Sequence, residues 1–171
     1  MNITHIDVGT LDFIVQKYNI KSFVDIGCGP MGMVHTAQAR GLEVVGIDGD
    51  PRLKEAFPAL KLHDYTKNCL KLDKTYDLGW SVEFLEHVSE KYINNYMETF
   101  KCCKRLCITH APPNKKGHHH VNCQDAAYWI MKFTEYGFTY EEDTTKEIRS
   151  KSTMVREFMR NNGLFFINTG A

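Results

Sequence analysis

A short apolar run, Ser22–Cys28 (SFVDIGC), breaks into the turn Asp25-Ile26-Gly27-Cys28-Gly29-Pro30-Met31-Gly32 and then into residues with helical spacing. Three glycines so placed leave few choices of structure. Glycine reaches backbone conformations that other residues avoid, and it lets main-chain amides approach a ligand at the start of the next helix. A buried strand, a tight turn and a helix make the first half of a βαβ unit, which needs a second parallel strand. Glu43–Ile47 (EVVGI), running into Asp48, supplies that strand.

The alternation continues along the chain. Thr10 is placed to cap a first helix with Leu11, Ile14, Val15 and Tyr18 on one face. Met33–Arg40 has helical spacing with Gly41 as its C-terminal cap. Leu60–His63 is a weak third strand, Tyr76–Ser81 (YDLGWS) a fourth, and Leu106–Thr109 (LCIT) a fifth that Pro112–Pro113 stops. Between the last two, Ser89 opens a helix in which Tyr92, Tyr96 and Phe100 recur every four residues. A helix from about Asp125 to Tyr136 ends at Gly137; Phe138–Glu142, Ser152–Asn161 and Leu164–Asn168 are expected as a strand, a helix and a closing strand. The pattern predicts a doubly wound α/β fold, a mainly parallel seven-stranded sheet with helices on both faces, in a single domain spanning 1–171. Such sheets bind ligands at the carboxyl ends of their strands, where the strand order reverses. That rule points to the turns after strands one, two, four and five.

Composition limits the classes open to such a chain. With 171 residues, 43% hydrophobic and 25% charged, it is one ordinary globular domain in size and makeup. Its first twenty residues lack the basic start and apolar core of a secretory signal, and no window is apolar enough to span a membrane. Cys102 and Cys103 are adjacent, and Cys28, Cys69, Cys107 and Cys123 fall mostly in apolar runs, which suits reduced thiols and a cytoplasmic location. The formal net charge of +0 gives no global field to attract nucleic acid, so that partner is disfavoured. The local basic stretches, Lys115–Lys116 and Lys146–Arg160, read first as solvated surface.

Gly27, Gly29 and Gly32 satisfy GxGxxG, with Asp48 about twenty residues on, so a dinucleotide fits formally. Asp25 argues otherwise. A carboxylate here repels a pyrophosphate and attracts the ammonium and sulfonium of S-adenosyl-L-methionine. At about 6 Å and an effective dielectric near 20, the two cases differ by several kcal/mol. Most dehydrogenases also need a substrate domain for which no residues remain here. VDIGCGPMG resembles the first motif of the class I methyltransferases, VVGIDGD their second, LHDYT the turn after their third strand and YDLGWSVEFLEHV their fourth motif. RLCITHAPPN followed by HVN resembles the fifth strand and substrate loop of small-molecule members. The resemblance runs from about Ser22 to Phe138, with Pro30-Met31 standing where many members continue in glycine. It implies a Rossmann-like methyltransferase domain that binds S-adenosyl-L-methionine through Asp25, Gly27, Cys28, Gly29, Asp48, Gly49, Asp64, Tyr65 and Ser81. Asp48 would hold the ribose hydroxyls and Asp64 the adenine amino group.

Methyl transfer from a sulfonium leaves the protein to align the acceptor and to manage one proton. An unactivated hydroxyl must lose that proton as it attacks, a task that suits histidine. His119, within the loop APPNKKGHHHVN after strand five, and His110, just before it, are the candidate bases, and Glu83 is a candidate to orient the acceptor or complement the next helix. A metal held by His118 and His120 with Cys123 or His110 is the weaker reading, since no CxxC or HxxxH spacing supports it; none is expected. His87 and Trp80 read as structural. The expected function is methyl transfer to a hydroxyl of a small molecule or glycan, away from membranes. The alternatives are a catalytically silent cofactor-binding module and an NAD-binding domain.

Overall fold

The computed structural model describes residues 5–53 and 57–170. Its elements are α1 (Val8–Tyr18), β1 (Ser22–Ile26), α2 (Gly32–Gln38), β2 (Glu43–Asp48), β3 (Leu60–Leu62), β4 (Leu78–Ser81), α3 (Ile93–Phe100), β5 (Arg105–Thr109), α4 (Ala126–Glu135), β6 (Phe138–Tyr140), α5 (Glu142–Lys151), α6 (Phe158–Asn162) and β7 (Gly163–Asn168). One seven-stranded sheet orders them β3-β2-β1-β4-β5-β7-β6. The order reverses between β1 and β4, which places a crevice at the carboxyl ends of these two strands.

Apolar residues cover both faces of this sheet. Val24, Ile26 and Ile47 pack on one face with Tyr96, Phe100, Trp129 and Phe133. Phe23, Leu78 and Trp80 pack on the other with Leu11, Ile14, Val34, Ile148 and Met159. All five β1 residues are buried, as a central parallel strand requires.

The sheet is mainly parallel, as expected, and becomes mixed at one edge, where β7 runs antiparallel to both β5 and β6. Two expectations need correction. The first helix is capped by Asp7, whose carboxylate accepts from the Thr10 amide, so Thr10 lies inside the helix. The helix expected at Ser152–Asn161 is displaced: α5 ends at Lys151, and Ser152 to Glu157 form an irregular connector before the short α6. Asp7 explains the displacement. Its buried carboxylate also accepts from the Ser152 hydroxyl and the Thr153 amide, which draws the chain out of helical geometry there. All six cysteines are free thiols, and no helix among the described residues is long and apolar enough to cross a membrane.

Candidate functional site

The crevice is a cleft of about 560 Å³ at the end of β1. Gly27 has φ +79°, and any Cβ there would meet the Phe84 ring at 2.7 Å, so glycine is required on both counts. Gly29 has φ +49° with open space beside it, which leaves its face of the turn to a ligand. The amides of Gly27 and Cys28 donate to the Ile47 carbonyl at 2.8 and 3.1 Å, fastening the turn to β2. Asp48 completes the clamp, its carboxylate accepting from the amides of Gly29 at 2.8 Å and Asp50 at 2.9 Å. A carboxylate offers about four lone-pair sites, so Asp48 keeps capacity for further donors. Met31, the departure from glycine, takes φ +68° with its side chain wholly buried. Its sulfur fills the space a side chain at Gly46 would need, which secures the turn by packing where other chains rely on backbone freedom.

Two groups in the cleft wall lack ordinary settings. Asp25 is 3% exposed, and burial together with the Asp48 charge holds its carboxyl well above the usual range. Both causes favour its protonated form. Trp80 is 1% exposed, and its indole N–H has no acceptor among the described residues. A buried donor left unpaired costs free energy, so this one is an available anchor for a ligand acceptor.

Beside the cleft, Glu83, Glu86, His87 and His120 bring one potential ligand atom each to within 4.8 Å of one another. Glu86 sits on the 3₁₀ turn Leu85–His87, fully buried, with neither carboxyl oxygen in a regular hydrogen bond among the described residues. Burial first, then the Glu83 charge, push its carboxyl well above the usual range. The His87 Nδ1 lies 3.2 Å from the His119 carbonyl and the His120 Nδ1 3.0 Å from the Lys115 carbonyl. As donors to those carbonyls, the two rings each keep a lone pair on Nε2, the arrangement typical of metal-binding histidines. Glu83 and His119 both adopt left-handed backbone, at φ +55° and +54°. Such strain in bulky residues gathers at functional sites.

The structure gathers most of the expected residues. Asp25, Gly27, Cys28, Gly29, Asp48, Gly49, Tyr65, Glu83 and His119 all line this first cleft. Asp64 stands next to it but turns its carboxylate to the Thr66 amide and hydroxyl, at 2.9 and 2.7 Å. Ser81 is fully buried and donates to the Ile26 carbonyl at 2.8 Å, which ties β4 to β1 outside the cleft wall. His110 lies in a neighbouring cleft, its Nδ1 3.0 Å from the Gln124 carbonyl and its basicity lowered by burial. His118 lines the first cleft, and Cys123 contacts His120 at 3.5 Å, so neither joins the four-residue set. Sequence reasoning missed Glu86 and His87 as partners of His120. The usable signal was the spacing Glu83, Glu86, His87, which puts three ligand-type side chains on one tight turn.

Residues 24–110, just over half of the chain, match the family model of a methyltransferase domain, and the chain belongs to that family. Its cofactor is S-adenosyl-L-methionine. Magnesium protoporphyrin IX methyltransferase (ChlM) from Synechocystis PCC 6803 with bound SAM is similar in structure, at TM-score 0.64 and 17% identity over 95% of this chain and 78% of that one. The methyltransferase domain of bacterial CtHen1-C is similar at TM-score 0.62 and 16% identity, over 96% and 97% of the two chains. Small RNA methyltransferase HEN1 is similar at TM-score 0.62 and 14% identity, over 95% of this chain and 25% of that one. At these identities the likeness is one of fold. No curated protein matches the chain.

Proposed function

We propose that this chain, as a single domain, transfers the methyl group of S-adenosyl-L-methionine to a hydroxyl of a small acceptor, with a divalent cation on Glu83, Glu86, His87 and His120. One observation carries the reading. Glu83 alone is common to the cofactor cleft and a second cleft, His87 lines the first, His120 lines the second, and Glu86 lies buried with them. The four ligands therefore stand in the partition between two clefts, where donor and acceptor would meet.

The residues fit such an ion. Two buried carboxyl oxygens without a hydrogen-bond partner among the described residues are open to a cation in place of a proton, and an imidazole–carboxylate set suits Mn²⁺ or a similar first-row ion. The cation supplies Lewis acidity toward an acceptor hydroxyl, which eases loss of its proton. Asp25 receives the cofactor's positive end, Asp48 the ribose, and the Trp80 N–H its carboxylate. Tyr65 and Phe84, with ring centroids 5.9 Å apart, wall the cleft. His119, exposed at the rim, takes the proton to solvent, while its carbonyl orients His87. The sequence expectation of no metal rested on histidine spacing, whereas this ligand set draws on one tight turn and a loop more than thirty residues later.

Calorimetric titration with MnCl₂ in the presence of S-adenosylhomocysteine tests the reading. The native chain should bind about one equivalent, and Glu86→Gln should weaken that binding by at least about tenfold with adenosylhomocysteine affinity intact. Equal Mn²⁺ affinity in both chains would remove the cation from the proposal.

A further inference from the structure

The second cleft, of about 330 Å³, is at the small end for ligand pockets. Its inner edge is Glu83 and His120, so an occupant reaches the cation ligands directly. Its floor holds His110, whose Nδ1 donates to the Gln124 carbonyl and whose Nε2 is left to accept from a hydroxyl. Its outer walls carry Lys115 and Arg156, neither in an ion pair among the described residues, with the amides of Asn161 and Asn162. Glu83 and Glu157 are the acids of this lining; with Glu83 assigned to the proposed cation, Glu157 is left opposite the two basic side chains.

These donors come from two separate segments, the loop after β5 and the connector around α6. A planar carboxylate is satisfied by a single guanidinium fork, whereas a phosphate has three oxygens and accepts from several directions. We infer that the second cleft takes a small phosphorylated polyol, its phosphate between Lys115 and Arg156 and one hydroxyl at Glu83 and His120. This rests on the proposed role of the partition as the place where the acceptor hydroxyl is held. Ordinary sugar phosphates match the volume and present both groups a few ångströms apart.

The test compares ribose 5-phosphate with ribose by calorimetry, on the full chain with Mn²⁺ and S-adenosylhomocysteine present. Ribose 5-phosphate should bind about tenfold tighter or more. The double variant Lys115→Ala/Arg156→Ala should bring the ratio to about one while adenosylhomocysteine affinity stays unchanged. Equal affinities in the native chain, binding of neither sugar, or a preference that survives the double substitution would overturn the inference. Arg156 also acts electrostatically on His5, which lines the cofactor cleft. A fall in adenosylhomocysteine affinity would therefore assign Arg156 to the cofactor and overturn the inference too. A short oligoribonucleotide that binds more tightly than ribose 5-phosphate would do the same by making the occupant nucleic acid. Failure of the cation reading looks different: Mn²⁺ would not bind, yet the phosphate preference and its dependence on Lys115 and Arg156 would persist.

Discussion

A buried carboxyl ionises only when something nearby repays the loss of water, and Asp25 has just the Asp48 charge and the Cys28 thiol as titratable neighbours. Burial and the Asp48 charge push the Asp25 carboxyl toward its protonated form, and a cationic cofactor would pull it the other way. Affinity for S-adenosylmethionine should therefore rise with pH above the ordinary carboxyl value of about 3.9 until Asp25 is ionised in the free chain. The sign for stability is opposite. A raised folded-state pKa means the folded chain binds the proton more tightly than the unfolded one. That contribution is complete below the unfolded value and is lost as pH rises through the folded one. Calorimetry in two buffers of different ionisation enthalpy checks this, with proton release on binding as the expected result and pH-independent affinity without release as the contrary one. Asp25 stands out in the sequence as the acid that leads into the glycine turn, and the structure places it in the cleft wall. Its conditional charge was not legible there, because burial is a property of the folded sheet. Trp80 is core, as its place in a strand implied, and what the sequence did not carry is that its N–H has no partner among the described residues.

Among the elements, the strands β1 to β5 were readable because each is a short apolar run closed by glycine, proline or an acid. The α5 helix was not. Its sequence, EDTTKEIRSK, is polar with paired β-branched threonines, and only Thr144, Thr145 and Ile148 turn inward. Side-chain bonds hold it: Thr10 donates to the Ile148 carbonyl at 3.1 Å, and the Thr145 hydroxyl accepts from the Phe165 amide at 3.0 Å. Asp7 binds the same region together by capping α1 and accepting from the connector after α5. Asp7→Ala would remove a helix cap and leave buried donors unpaired, a combined cost of about 2 kcal/mol or more. Urea unfolding measures it, and a change below about 0.5 kcal/mol would show that the cap and connector bonds contribute little.

At the scale of the whole molecule, the strand-order reversal placed the cofactor cleft where alternation of strands and helices said it would lie. What alternation does not carry is the meeting of the Leu85–His87 turn with the histidine loop. That meeting depends on two main-chain bonds, from the Val121 and Asn122 amides to the Glu86 carbonyl at 2.8 and 3.1 Å. It also depends on Gly117, where a Cβ would lie 2.2 Å from the His120 ring. Bonds between segments this distant in sequence leave no periodic trace. The most direct test of the assembled site follows methyl label from S-adenosylmethionine into small phosphorylated polyols, before and after chelation. Transfer should stop when divalent cations are removed, return when Mn²⁺ is added back, and be absent in Glu86→Gln that still binds adenosylhomocysteine. Undiminished transfer in the chelated protein would contradict a cation in the partition between the two clefts.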